Sequence, residues 1–268
     1  MGIAEEHAVT FAGGLSASGL KPVVFLYSTF AQRVYDQISH DIAIQKLPLV
    51  LMIDRAGLVA GDGITHQGIF DYSLFSSVPN TEIYMPETDV ELENAFSDAL
   101  ASERISVIRY PKGKYEPYTP PMRMISHNGV LTYSENIKKT KTVVITAGRL
   151  AKNAAEAIAL SEKNIALIRM TKVFPIPIKE ILSLTENAKN IYILEENYVH
   201  GGFAEKIRAA KACGVTPVVI RRPEAERGMS VSDCLALLSE RFGVHVGALM
   251  DMPLKSAAAE ISEEELHL

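Results

Sequence analysis

The sequence predicts an α/β protein of two domains, each a mostly parallel sheet flanked by helices. Three observations carry that prediction. Short apolar runs recur as "KPVVFLYS", "LPLVLMID", "TEIYMP" and "ISVIRYP", then as "KTVVITAG", "IALIRM", "NIYILEE" and "TPVVIRR". They are continuous rather than alternating, the pattern of strands covered on both faces. Helical periodicity lies between most of them, and strands interleaved with helices form parallel sheets in layers. Finally, residues 114–129, "KYEPYTPPMRMISHNG", hold three prolines and little periodicity, and suit neither helix nor strand. That break divides the chain into a first domain at 1–116, a linker at 117–138 and a second domain at 139–268.

Taken in order, Ala8, Phe11, Ala12 and Leu15 trace a helical stripe, with Glu5 and Glu6 in its first turn. Acids there satisfy the helix dipole and free N–H groups, which is a sufficient account of them on the segment alone. Gly13 and Gly14 fall mid-helix, where each costs about 1 kcal/mol against alanine, so this helix is expected to pack closely against a neighbour. Phe30, Val34, Ile38 and Ile42 make a second stripe, spaced by four. "ETDVELENAFSDALASE" opens with acids, as a helix N-terminus favours. The acidic "SEEEL" near the end reads as a solvated last turn.

Composition narrows the function classes. The chain has 268 residues, 47% hydrophobic and 22% charged, enough to bury real cores. A net charge of −5 argues against nucleic acid or an anionic membrane surface as the main partner. Cys213 and Cys234 fit no metal spacing and no disulfide framework, and read as reduced thiols of a cytoplasmic protein. The first residues lack the basic and apolar regions of a signal peptide, and no run is long enough to span a membrane.

Four clusters carry candidate chemistry. "LVAGDGITHQG" follows an apolar strand and places four glycines between Gly57 and Gly68, with Asp62 and His66 inside and Asp54 and Arg55 just before. Loops at the C-terminal ends of parallel strands are where α/β sheets place their sites, and a histidine near a carboxylate there suits acid–base work. "YSTFAQR" sets Tyr27, Ser28, Thr29, Phe30 and Arg33 at the end of an earlier strand, where the hydroxyls could equally cap a helix. "RYPKG", from Arg109 to Gly113, offers Arg109 and Lys112 to an oxyanion or phosphate, or forms a solvated loop. In the second half, "TAGRL" resembles a βα turn, and "EENYVHGGFAEKI" sets Glu195, Glu196 and His200 before a glycine pair, best read as a tight strand-to-helix turn. Gly61-Asp62-Gly63 with Asn94 imitates a thiamine-type magnesium motif. The imitation fails on context: Asn94 falls inside an amphipathic helix and no helix follows the glycine pair. No metal ligand is assigned.

The stretches "GIAEEHAVTFAGGLSASGLKPVV", "YSTFAQRVYDQISHDIAIQKLPLVLMIDRAGLVAGDGITHQGIFD" and "RYPKG" resemble the 1-deoxy-D-xylulose-5-phosphate synthases, transketolase-like thiamine diphosphate enzymes. The likeness is dense over residues 1–113 and looser in the second half, where "LEEN…GG" keeps the layout of a transketolase C-terminal domain. It implies a pyrimidine-binding domain at 1–116, lacking its opening elements, and a C-terminal domain at 139–268. It implies a transferase that condenses pyruvate with glyceraldehyde 3-phosphate with loss of CO2, feeding isoprenoid, thiamine and pyridoxal synthesis.

The same resemblance implies roles for single residues. Glu5 would hydrogen-bond the aminopyrimidine ring of thiamine diphosphate, and Phe30 would stack on it. Asp62 and His66 would lie near the reacting carbons. Tyr27, Arg55 and Arg33 would face the acceptor's phosphate, together with Lys112, where the family usually has arginine. Only the pyrimidine end of the cofactor is expected on this chain. The diphosphate and Mg2+ are expected on a separate N-terminal domain, so the chain alone is expected to be inactive, and a homodimer or a separate N-terminal subunit is the expected assembly. The competing expectations are a non-catalytic remnant or dimerisation module, and a β-type subunit of a 2-oxo acid dehydrogenase; "GDGITHQG" with "RYPKG" speaks against the latter.

Overall fold

A computed structural model describes residues 3–113, 125–127, 130–134, 137–161, 163–210 and 217–220. Cys213, Cys234, the acidic stretch at 262–266 and residues 114–124 of the proline-rich break lie outside the described residues. The described residues all fall within one compact unit, Met1–Arg222; residues 223–268 lie outside the described residues.

The eight expected strands all form. In the first half they are β1 (Val23–Tyr27), β2 (Leu49–Asp54), β3 (Thr81–Tyr84) and β4 (Ile105–Arg109). Then come two short strands, β5 (Ile125–His127) and β6 (Val130–Thr132), followed by β7 (Thr142–Ala147) and β8 (Ile165–Met170). The short β9 (Lys172–Phe174), β10 (Asn190–Leu194) and β11 (Pro217–Ile220) complete the set. They build two sheets, of order β1-β2-β4-β3-β9 and β11-β10-β7-β8-β6-β5. Each is parallel through its long strands. The antiparallel members are β9 against β3 in the first sheet and the β5–β6 pair against β8 in the second. Residues 125–127, read as neither helix nor strand, thus pair into a sheet. A three-residue strand is too short to leave a periodic signal, and β5 joins the sheet only through β6, which itself pairs with the distant β8.

Continuous apolar runs are explained by cover on both faces. Leu49, Leu51 and Ile53 of β2 point into the main core, while Val50 and Met52 point to a second core with Ala95 and Ala99 of the helix Asp89–Ala101.

Helix α1 spans Glu5–Ala17, and its buried positions are Val9, Ala12, Gly13 and Ser16. This differs from the expected stripe, since Phe11 is 57% exposed. Small residues make the contact instead. A Cβ on Gly13 would sit 2.9 Å from Ile42 Cδ1, so the glycine admits that side chain. Ser16 Oγ donates to Pro48 O at 2.7 Å. Gly14, by contrast, has nothing near it.

After β1 the chain winds through a 3-10 segment (Ser28–Val34), one α turn (α2, Tyr35–Gln37) and a π-helical turn (Ile38–Ala43). Val34, Ile38 and Ile42 are fully buried, as their spacing predicts. Helix α3 is Asp71–Phe75, and α4 is Asp89–Ala101, where Thr88 Oγ1 accepts from Glu91 N at 3.2 Å as an N-cap. Asn94 lies exposed within α4. Helices α5 (Leu150–Leu160), α6 (Ile178–Leu184) and α7 (Phe203–Ala210) flank the second sheet. Among the described residues, no helix is long and apolar enough to cross a membrane.

Candidate active site

Parallel strands in register bring their C-terminal ends together. Tyr27 lies opposite Asp54, and Ile53 opposite Arg109. The residues that follow these three ends therefore meet at one edge of the sheet, the usual place for chemistry in this architecture.

Asp62 sits between two cations there. Its Oδ2 accepts from Arg55 Nη1 at 2.7 Å, and its Oδ1 accepts from Lys112 Nζ. Arg55 Nη2 also donates to Tyr27 OH at 3.2 Å, with the guanidinium 4.1 Å from the centre of the Tyr27 ring. Hydrogen bonds from Lys112 and then Arg55 hold the Asp62 carboxyl below the usual carboxylate range. The same pairing with Asp62 raises the Arg55 guanidinium further. Arg55 adopts φ 59°, uncommon for a residue with a side chain, directly after the strand. Its carbonyl is pressed against Gly68, where a Cβ would lie 2.3 Å from Arg55 O.

A second set of contacts runs from Tyr27 to the head of α1. The Tyr27 and Phe30 rings are 6.2 Å apart, and His66 meets Phe30 edge-on at 5.7 Å. Thr65 Oγ1 lies 2.8 Å from His66 Nδ1. The Arg33 guanidinium lies 4.8 Å from the Phe30 ring centre and donates to Glu5 Oε2 at 3.1 Å. All eight candidate residues therefore form one continuous chain of contacts, from Glu5 through Arg33, Phe30 and His66, and through Tyr27 and Arg55 to Asp62 and Lys112.

Glu5 and Phe30 border one open cleft of about 570 Å3 between α1 and β1, with Ala8, Phe11, Val23 and Phe25 among its walls. Its lining is mainly apolar, with a carboxylate at one end. Such a donor set fits a flat heteroaromatic ring that carries a proton for the carboxylate, as the pyrimidine end of thiamine diphosphate does. Among the described residues no group of three or more His, Cys, Asp or Glu could hold a metal ion.

The loop between Gly57 and Gly68 is built from parts that the sequence did not reveal. Its base is closed by Gly57 N to Gly68 O at 2.7 Å and Gly68 N to Gly57 O at 2.9 Å. Gln67 braces the interior, accepting from Val59 N at 2.7 Å and donating to Val59 O at 3.0 Å and Gly63 O at 2.6 Å. A lone amide in a loop carries no pattern, so nothing flagged it. Arg109 is not available to a ligand: it is buried and pairs with Asp71. Arg149, in the "TAGRL" turn, pairs with Glu196. Glu195 caps α7, accepting from Phe203 N at 3.0 Å and Ala204 N at 3.2 Å.

The fold is transketolase-like. Residues 1–117 match the family described as transketolase, pyrimidine binding domain. Solved transketolases share the fold. A structure titled "Split gene transketolase, inactive beta4 tetramer" matches with TM-score 0.68 and 23% identity, over 90% of this chain and 77% of that one. Transketolase from Campylobacter jejuni matches with TM-score 0.65 and 20% identity, over 90% of this chain and 37% of that one.

Within that class the chain is similar to 1-deoxy-D-xylulose-5-phosphate synthases. It is 43% identical to the enzyme of Clostridium tetani over 210 residues, 77% of this chain and 34% of that protein. It is 35% identical to the enzyme of Listeria monocytogenes over 252 residues, 91% of this chain and 41% of that protein. The chain thus spans between about a third and two fifths of the length of the curated relatives it matches.

Proposed function

We propose that this chain supplies the pyrimidine-side half of a 1-deoxy-D-xylulose-5-phosphate synthase, joining pyruvate to glyceraldehyde 3-phosphate with loss of CO2. The observation that carries the reading is the single contact chain that links Glu5, on the apolar cleft, to the Arg55–Asp62–Lys112 cluster. One end suits a heteroaromatic cofactor ring and the other a phosphorylated substrate.

Thiamine diphosphate, when bound, would supply the nucleophilic carbon that carries the two-carbon unit of pyruvate. The protein's own groups do the rest. Glu5 would hold the proton at the ring nitrogen of the aminopyrimidine; a glutamine could not share that proton in the same way. Phe30 would give the ring an apolar face. Arg55 and Lys112, steadied by Asp62 and Tyr27, would bind the phosphate of the acceptor aldehyde. His66, against Phe30, would move a proton at the substrate oxygen. Arg33, between Glu5 and Phe30, would orient both.

The diphosphate and Mg2+ would be held by a separate N-terminal domain, carried by another subunit, with homodimerisation of this chain as a further expected contact. The chain alone is then inactive. The test mixes the chain with a polypeptide carrying such a domain, adds thiamine diphosphate, Mg2+, pyruvate and glyceraldehyde 3-phosphate, and measures CO2 release. Release is expected, with Glu5→Gln lowering it by roughly 10²–10⁴-fold. If the mixture released none under conditions where a full-length relative did, the reading would fall.

A further inference from the structure

The loop that carries Asp62 and His66 is gripped from the second sheet. At its entry, Leu58 O accepts from Arg149 Nη2 at 2.5 Å. Arg149 follows Gly148 at the end of β7, and its guanidinium forms a two-point pair with Glu196: Nε to Oε2 at 2.7 Å and Nη2 to Oε1 at 2.5 Å. Glu196 follows β10 and lies flat against Gly57, where a Cβ would come within 2.7 Å of Glu196 Oε2. Gly57 also adopts φ +83°, so backbone conformation and close approach both require a glycine there. Beyond the loop's exit, Tyr198 N donates to Ile69 O at 2.9 Å. The entry of the loop is therefore tied to Arg149 after β7 and its exit to the turn after β10, the two linked by the Arg149–Glu196 pair, while Asp62 and His66 lie between the ties.

We infer that Arg149 and Glu196 are positioning residues, which fix the Gly57–Gly68 loop so that Asp62 spans Arg55 and Lys112 and His66 meets Phe30. The inference deepens the proposed function and rests on it for its meaning in catalysis. The planar guanidinium fork is what lets one side chain grip a carboxylate and a carbonyl together; an ammonium could keep the charge but not that geometry. The contribution of the second sheet to the site would then be to hold a loop of the first.

The test uses the full isotope-labelled chain and needs neither cofactor nor turnover. Two readouts are compared in wild type, Arg149→Met, Arg149→Lys and Glu196→Gln. One is hydrogen exchange at the amides of residues 58–67, with those of β2 as the folding control. The other is the titration of the Asp62 carboxyl carbon, assigned by its loss in Asp62→Asn. In Arg149→Met, loop exchange is expected to rise by about tenfold or more. Exchange in β2 should stay unchanged, and the Asp62 midpoint should move up toward the ordinary carboxylate value of about 3.9. Arg149→Lys should restore part of both. A folded Arg149→Met chain in which either readout stayed at its wild-type value would overturn the inference. If Arg149→Met also released the β2 amides, Glu196→Gln, which removes the charge at nearly constant size, decides on the same readouts. Failure of the reconstituted assay would sink the proposed function and leave both of these measurements standing.

Discussion

Arg109 and Asp71 are joined by two hydrogen bonds, Nε to Oδ2 at 2.5 Å and Nη2 to Oδ1 at 2.8 Å, with both residues buried. Arg109 Nη2 also donates to Gly68 O at 3.2 Å. The first basic residue of "RYPKG" thus anchors the base of the candidate loop from inside, while Lys112 alone reaches the candidate phosphate cluster. Removing one partner of a buried pair leaves the other charge without compensation. Asp71→Ala is expected to lower stability by about 3–5 kcal/mol, read from urea unfolding. A loss under about 1 kcal/mol would place the pair among ordinary surface ion pairs.

Glu195 gives a pH signature. Burial pushes its carboxyl above the usual glutamate range, although it accepts from Phe203 N, Ala204 N and Asn197 Nδ2. A carboxyl whose folded value lies above its unfolded one makes the folded state bind more protons across that window. Stability therefore falls as pH rises from the unfolded glutamate value of about 4.3 through the raised one. One proton contributes at most about 1.4 kcal/mol per pH unit. Urea midpoints measured from about pH 4 to about pH 7 should decline less steeply in Glu195→Gln than in wild type. Parallel profiles would show that this group does not titrate as argued.

Two glycines of one loop should respond differently. A Cβ on Gly68 would meet Arg55 O at 2.3 Å and Ser28 Oγ at 2.6 Å, whereas one on Gly61 would meet nothing within 4 Å. Gly68→Ala is expected to cost about 1–3 kcal/mol or more, because backbone must shift. Gly61→Ala should stay within about 0.5 kcal/mol of wild type. Thermal or urea unfolding of the two variants side by side checks the contrast.

Lys112→Arg tests the phosphate cluster. The longer fork can engage Asp62 and a phosphate oxygen together, where the ammonium acts as a point charge. In a reconstituted enzyme the variant should lower the KM for glyceraldehyde 3-phosphate several-fold and leave that for pyruvate unchanged. Equal shifts in both would remove Lys112 from the acceptor side.

Much of this architecture was legible because its longer strands are runs of four to six mainly apolar residues between polar turns. The exceptions share a cause. β5, β6 and β9 have three residues each, too few for a period; β6 and β9 exist because a distant strand offers an edge, and β5 pairs onto β6. On α1 the expected stripe holds at Ala8 and Ala12 and fails at Phe11, because the buried face turns through Val9, Gly13 and Ser16, the last two of which carry almost no apolar signal. The eight candidate residues stood out through three local stretches and their family likeness, and the structure brings them together. Arg149 did not stand out, since its contacts with Glu196 and Leu58 span 47 and 91 residues and no local spacing encodes them.

One small strand sets how the two halves hold on to each other. β9 follows β8 of the second sheet after a single residue yet completes the first, with Met85 N donating to Thr171 O at 2.7 Å and Tyr72 OH to Val173 O at 3.2 Å. The halves are laced, not merely stacked. A protease nick between β4 and β5 would sever the covalent link and still leave the downstream piece stitched into the upstream sheet, so the cut chain should migrate as one particle until denaturant pulls the lace out.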